Sequence, residues 1–198
     1  MMEPIPSDVE CLALSLSEPQ AFELIFERHF GSVHRYLHRR AGCDVADDLA
    51  AETFALAFER RAKCRATDSM LPWLYGIATN LLRRCWRAER TQLRAYGRSG
   101  IDRAVDHTEE ATARLDAATL HARLAGALEA MPRRQRDALL LYALADLSYD
   151  EIAVALDVPL GTVRTWVHRA RKVAQGVLAA ETEGAPTRNI RRRSPWMT

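Results

Sequence analysis

The sequence predicts an all-α protein of two small helical domains joined by a flexible linker, the second domain a helix-turn-helix. Three observations carry this reading. Apolar residues recur at three- and four-residue steps along most of the chain, the period of a helix packed on one face. No run of alternating β-branched and polar residues bounded by turn dipeptides occurs, so strands are not expected. Near the C-terminal end a helix-start signal, a short turn and a second amphipathic helix follow one another directly. The length of 198 residues suits one or two small domains. The composition, 48% hydrophobic and 27% charged, is that of a chain able to bury a core.

In chain order, residues 1–19 read as an N-terminal extension and residues 20–90 as the first domain. Phe22, Phe26, His29 with Phe30, Val33 and Leu37 mark one helix face; Leu49, Phe54 and Ala57 with Phe58 mark a second. The polar stretch Cys64 to Met70 reads as a loop, and Pro72 suits the first turn of the helix carrying Leu74, Ile77, Ala78 and Leu81. From residue 91 to 119 the pattern weakens around Gly97 and Gly100, which makes this the linker, with room for helical ends. Its 29 residues reach at most about 100 Å when fully extended. The second domain, 120–180, opens on Leu120, Leu124 and Leu128 and continues through Leu139, Leu140 and Leu144. Residues 181–198 hold too little apolar surface to fold and read as a disordered basic tail.

Within the second domain, Ser148 and Glu151 stand at capping-box spacing, so a helix starts there, with Ile152 and Leu156 on its apolar face. Ala153 is small enough for a second helix to cross closely. Asp157 to Gly161 form the turn, and the helix beginning at Thr162 puts Val163, Val167 and Ala170 on one face. At about 100° per residue, Arg164, Thr165, His168 and Arg169 gather on the other. Those side chains suit base edges and phosphates, and the helix N-terminus, at Thr162, offers free amides to a phosphate. The spacing points to duplex-DNA binding, against the alternative of a helical hairpin with a charged outer face.

A formal net charge of +2 conceals strong segregation. Residues 1–59 carry four arginines against eleven acids, whereas residues 60–103 carry eleven bases against three acids. A concentrated basic block suits a polyanion, or else is a solvated helix face. The acidic first segment suits a basic protein partner.

Several classes are excluded. No apolar stretch approaches the roughly 20 residues of a membrane span. The N-terminus, with Glu3, Asp8 and Glu10, lacks the order of a secretory signal. Cys11, Cys43, Cys64 and Cys85 are scattered without a CxxC pair. His34 and His38, four apart, read as a surface pair because no HExxH accompanies them; phosphate-loop, dinucleotide and nucleophile-elbow motifs are absent too. The expectation is a cytoplasmic, non-enzymatic protein with no catalytic residue, metal, cofactor or stable membrane insertion.

Three further segments sharpen the reading. Asp47-Asp-Leu-Ala-Ala-Glu-Thr-Phe54 precedes the polar loop, Pro72-Trp-Leu-Tyr-Gly-Ile-Ala-Thr-Asn-Leu-Leu-Arg-Arg84 follows it, and Met131-Pro-Arg-Arg-Gln-Arg136 stands ahead of the helix-turn-helix. In this order they resemble the bacterial RNA polymerase sigma factors, in the small two-domain extracytoplasmic-function (ECF) group of the sigma-70 family. The likeness covers roughly residues 20–90 and 120–178. A stand-alone helix-turn-helix regulator, the alternative, leaves the first two segments unexplained.

The resemblance implies roles. Asp47, Asp48, Leu49, Glu52, Phe54 and Phe58 would dock on the clamp helices of the largest subunit of core RNA polymerase, although Leu49, Phe54 and Phe58 also fit a core. Lys63, Arg65, Ser69 and Asn80 would surround an extruded base of the −10 element, with Arg83, Arg84 and Arg87 on phosphates. Trp73 either stacks on a base or belongs to the core beside Leu74 and Ile77. Thr162, Arg164, Thr165, His168 and Arg169 would read the −35 element in the major groove. In the family the linker threads past the polymerase active-site and exit channels, and an anti-sigma factor often holds the protein inactive. Three positions depart from the family pattern: Ala51 where glutamine is common, Arg84 where an acid is, and Trp166 where arginine is frequent.

Overall fold

The computed structural model describes residues 6–64, 68–95 and 113–184. Helix α1 (Asp8–Ser15) starts at a capping box: the Glu10 carboxylate accepts from the Ser7 N–H at 2.7 Å, and the Ser7 hydroxyl oxygen accepts from the Glu10 N–H at 3.3 Å. The segment read from the sequence as a bare extension therefore holds a helix, and Ser-x-x-Glu was its signal. A 3-10 turn over Pro19–Phe22 leads into α2 (Glu23–Ala41). Gly42, at φ +86°, reverses the chain in a conformation that favours glycine, and α3 (Cys43–Arg60) packs beside α2. A short turn over Arg61–Lys63 precedes α4 (Leu71–Ala95), with Pro72 in its first turn.

Leu74 to Thr79 of α4 are buried without a break. A helix closed over so much of its circumference lies between neighbours on several sides. Helices α2 and α3 supply two of them, Tyr75 meeting Tyr36 edge-on at 5.1 Å. The other neighbour comes from the second module, built of α5 (Ala113–Ala130), α6 (Arg133–Leu144), α7 (Tyr149–Leu156) and α8 (Leu160–Gly184). There α8 packs on α5, α6 and α7, with Val163, Val167 and Ala170 fully buried.

The two modules, expected to be joined by a tether, pack against one another. Helix α4 lies on α7, and one apolar core runs through Tyr36, Leu74 and Leu82 of the first module and Leu141, Ile152 and Ala155 of the second. Gly76 is the close approach: a Cβ there would stand 2.5 Å from the Ala155 carbonyl oxygen. Helices α4 and α5 reach into the 91–119 linker, to Ala95 and from Ala113, because its ends hold good helix formers; the rest, 96–112, lies outside the described residues. Likewise α8 continues to Gly184, and the remainder of the expected disordered tail, 185–198, lies outside them. Among the described residues there is no strand, and no helix is long and apolar enough to cross a membrane.

One carboxylate ties α1 to the rest. Asp8, expected on an outward acidic surface, is instead buried. It accepts from Arg28, from His29 Nε2 at 2.6 Å, from the Met70 N–H at 2.8 Å and from the Ser69 hydroxyl at 3.3 Å. Burial alone would push the carboxyl up; the Met70 amide, His29 and Arg28 outweigh it and hold the group below its ordinary value. Stabilisation from such a depressed carboxylate is complete above the unfolded-state value of 3.8 and is lost as pH falls through the folded-state value. In urea titrations of the full chain, Asp8→Asn is expected to lower stability at neutral pH by about 2–3 kcal/mol, since its amide turns a donor toward donors. The gap to wild type should narrow below pH 4; a gap independent of pH contradicts this role.

Candidate nucleic-acid interface and partner face

Three outward faces collect the residues singled out from the sequence. The first is on α3. Asp48 and Glu52, four residues apart on one stripe, are exposed, and the Asp47 side chain is 84% exposed, its Oδ1 2.7 Å from His34 Nε2. Leu49 and Phe54 are buried, and Phe58 is half-buried, edge-on to Phe22 at 5.4 Å. These three therefore hold α3 against the module instead of offering themselves to a partner. The apolar stripe of an amphipathic helix has to be covered, and only the acids on its other side are left outward.

Beside those acids runs an aromatic row that the sequence reading assigned to core periodicity. Phe26 and Phe30 are 4.9 Å apart and His34 stacks on Phe30 at 5.7 Å, with Phe54 beneath at 5.0 and 5.9 Å from the two phenylalanines. Phe26 is 40% exposed, so this row extends the acidic face into an apolar one. His38 Nε2 faces the Cys43 Sγ at 3.0 Å. Among the described residues no cluster of three or more His, Cys, Asp or Glu could hold a metal.

The second face is the stripe of α4 carrying Trp73, Asn80, Arg83, Arg84 and Arg87, with Lys63 exposed ahead of it. Arg65 lies outside the described residues. Trp73 is half-buried against the core, so its ring edge alone is available. Ser69 is committed elsewhere: its hydroxyl donates to Asp8 and accepts the Leu71 N–H at 3.1 Å, which makes it a cap for α4 and not a free base contact. Asn80 is exposed and accepts from Arg83 Nη1 at 2.9 Å; Arg84 and Arg87 are exposed.

Arg83 is also held from the second module, where its Nε donates to Asp137 Oδ2 at 2.8 Å. Asp137 is 1% exposed, and its other oxygen accepts from Arg40 Nη2 at 2.9 Å. Arg40 in turn donates through Nη1 to the Tyr36 hydroxyl at 2.7 Å, which shares a hydrogen bond with Thr79 at 2.9 Å. Burial pushes the Tyr36 phenol up, with the Arg40 charge acting against it, and pushes Tyr75 up to about 12. Both phenols therefore keep their protons near neutral pH. Arg40 and Arg136 flank the Trp86 ring at 5.1 and 5.9 Å. Beside this network a cleft of about 490 Å³ opens, with Arg39, Arg87, Arg133 and Trp86 in its walls. Asp137 was not singled out from the sequence. Its signal was an acid abutting the apolar run Ala138 to Leu141.

The third face is on α8. The capping box expected at Ser148 and Glu151 is present, with the Ser148 N–H donating to Glu151 at 2.8 Å and the Glu151 N–H donating to Ser148 at 3.3 Å. Helix α7 ends at Asp157, whose left-handed backbone (φ 52°) turns the chain toward α8. Arg164, Thr165, His168 and Arg169 all point outward, and Thr162 is half-buried at the helix start. The Thr165 hydroxyl donates to the Gly161 carbonyl at 3.0 Å, so it meets a ligand as an acceptor. Trp166 covers the rim of the core, with the Arg134 guanidinium over its ring at 5.9 Å.

Comparisons with known proteins match this layout module by module. Residues 25–92 match the family model for Sigma-70 region 2, and residues 121–173 match that for Sigma-70, region 4. The chain is 32% identical over 161 residues to the ECF RNA polymerase sigma factor SigE of Mycolicibacterium smegmatis, covering 80% of this chain and 62% of that relative's length. It is 27% identical over 186 residues to the ECF RNA polymerase sigma-E factor of Escherichia coli K12, covering 87% of this chain and 94% of that one. Among solved structures, the sigma factor RpoE of Bartonella quintana, in complex with the anti-sigma factor NepR, aligns with a TM-score of 0.60 at 19% identity, over 82% of this chain and 99% of that one. CnrH, in complex with the cytosolic domain of CnrY, aligns with a TM-score of 0.60 at 22% identity, over 86% and 96%. At these identities the structural likeness speaks for the fold.

Proposed function

The chain belongs to the sigma-70 family of RNA polymerase sigma factors, in its ECF group, and from that premise we propose that it binds core RNA polymerase and directs promoter recognition, −10 melting and transcription initiation. The observation that carries this is the succession within one chain of a region 2 module, with acidic and basic faces on adjoining helices, and a region 4 helix-turn-helix with an outward polar face. A stand-alone regulator would leave residues 25–92 without a role.

In this reading Asp47, Asp48 and Glu52 meet basic groups on the clamp helices of the polymerase's largest subunit, with the Phe26–Phe30 row beside them supplying apolar contact. Acids ringed by apolar surface suit such a partner, the charges setting orientation and encounter rate. The α4 stripe takes the non-template strand of the −10 element, its phosphates on Arg83, Arg84 and Arg87 and an extruded base near Lys63, Asn80 and the Trp73 edge. The α8 helix enters the major groove of the −35 element with Arg164, Thr165, His168 and Arg169 toward base edges. Each module alone grips DNA weakly; polymerase fixes their geometry so that the two act together. Work of this kind belongs in the cytoplasm. NepR is the anti-sigma factor of the RpoE complex, and an anti-sigma factor is proposed as a further partner of this chain.

Two substitution experiments test the faces. Asp48→Ala combined with Glu52→Ala is expected to weaken binding to core polymerase at least about tenfold, or 1.4 kcal/mol, while the fold stays intact; unchanged affinity removes the α3 assignment. In footprints of the assembled polymerase, Arg164→Ala with Arg169→Ala should erase upstream protection, each lost base contact weakening binding by about 1–3 kcal/mol. Protection that persists undiminished contradicts the α8 face.

A further inference from the structure

The three faces leave the cleft beside Trp86 without a role. It holds about 490 Å³ between the end of α2, the middle of α4, the end of α5 and helix α6. That volume lies within the roughly 300–1,000 Å³ of small-molecule sites and far exceeds what a single phosphate fills. Its charge is lopsided: six arginines and two acids line the wall, a surplus of four positive charges, with no lysine among them. One of the acids, Asp137, is already engaged by Arg40 and Arg83 at 2.9 and 2.8 Å. Arg39, Arg87, Arg133 and Arg136 therefore border the space with Glu129 as the one further acid of the wall. Among the described residues, neither Arg39 nor Arg133 takes part in an ion pair. Like charges gathered around a concave wall focus their field into it, and a ligand carrying several negative charges relieves their repulsion.

Part of the wall is fixed in advance. The Arg136 guanidinium stands over the Trp86 ring at 5.9 Å while its Nη1 donates to the Leu128 carbonyl at 3.4 Å, and Arg40 stands over the same ring at 5.1 Å. A guanidinium held in this way does not have to be ordered by its ligand, which removes part of the entropy loss of binding. Trp86 is thus a positioning residue. The planar fork of a guanidinium matches the paired oxygens of a phosphate chain better than an ammonium does. Alongside these cations, Leu128, Leu140 and Leu144 are half-buried and turn apolar surface to the same space. Inorganic phosphate leaves those leucines uncovered, and an uncharged apolar ligand leaves the arginines unanswered. A ligand that satisfies both carries a chain of phosphates at one end and a flat, weakly polar ring at the other.

We propose that this cleft binds a nucleoside di- or triphosphate, with its phosphate chain on Arg39, Arg87, Arg133 and Arg136 and its base against Leu128, Leu140 and Leu144. The first module supplies Arg39 and Arg87, the second Arg133 and Arg136, so the site belongs to the whole chain and to neither module alone. A nucleic-acid strand is the rival occupant, because Arg87 also lies on the α4 stripe. Arg39 and Arg133 lie on other helices, and they carry the distinction. The assignment stands whether or not α4 handles promoter DNA.

Calorimetric titration of the full chain at fixed salt tests the site, with ATP, GTP and inorganic tripolyphosphate as probes. The chain is expected to bind ATP or GTP at one site and to melt at a higher temperature in its presence. Tripolyphosphate matches the charge but lacks the base, and should bind at least about tenfold more weakly, the scale of leaving a modest apolar ring unburied. Arg39→Ala combined with Arg133→Ala should weaken the nucleotide at least about tenfold, the scale of one lost charge-assisted hydrogen bond. Both side chains are exposed, so the melting temperature without nucleotide should not move. Arg84→Ala removes an equal charge from α4 outside the wall, and nucleotide affinity should not follow it. Absence of binding by both nucleotides overturns the proposal, and so does tripolyphosphate binding as tightly as they do. A loss in Arg84→Ala equal to that in the paired variant marks diffuse charge attraction and overturns it as well. A single-stranded DNA oligonucleotide, titrated in parallel, should bind the paired variant as it binds the unaltered chain; a loss matching that of ATP gives the cleft to a strand instead.

Discussion

A carboxylate cannot be carried out of water alone, and Asp137 is 1% exposed. It is tolerated there because two guanidiniums, Arg40 and Arg83, both from the first module, reach it at 2.9 and 2.8 Å. That requirement fixes how the halves of the molecule meet. The C-terminal end of α2 and the middle of α4 must come to α6 together, which presses Gly76 onto α7. The Tyr36 hydroxyl, between Arg40 and Thr79, extends the same network into the first core. Once this carboxylate is paired, little freedom remains in the placement of the other elements.

The consequence for function is an asymmetry among the three faces. The acids of α3 and the polar side of α8 are open, so the surfaces proposed for a partner protein and a duplex groove are both accessible. The basic stripe of α4 is partly covered by the second module, with its central guanidinium already engaged.

How much of this is legible in the sequence follows from the range of the interaction concerned. The all-helical class, the helix-turn-helix, its capping box at Ser148 and Glu151 and the outward side of α8 all depend on residues three or four apart, and periodicity exposes them. Inside Asp47–Phe54 the same logic stops short: acids and apolars share the motif, and only the packing of α3 shows that Leu49 and Phe54 turn in while Asp48 and Glu52 turn out. The pairing of Asp8, Arg40 and Asp137 is not legible. Each is a charged residue at a buried position whose oppositely charged partners lie 20 to 97 residues away, beyond the reach of any local pattern. Ser69, read as a base contact, belongs to the same class, since Asp8 claims its hydroxyl from 61 residues away. Gly76 is similar, because its need for the missing side chain arises only where α7 crosses.

The claim that the chain is a promoter-specificity subunit is tested most directly by mapping transcript 5′ ends made in vitro by core polymerase on a library of genomic fragments, with and without the purified protein. The account predicts new start sites that appear only with the protein and share two sequence elements at fixed separation, upstream and at the melted region. Start sites identical with and without it, from folded protein, would contradict the account.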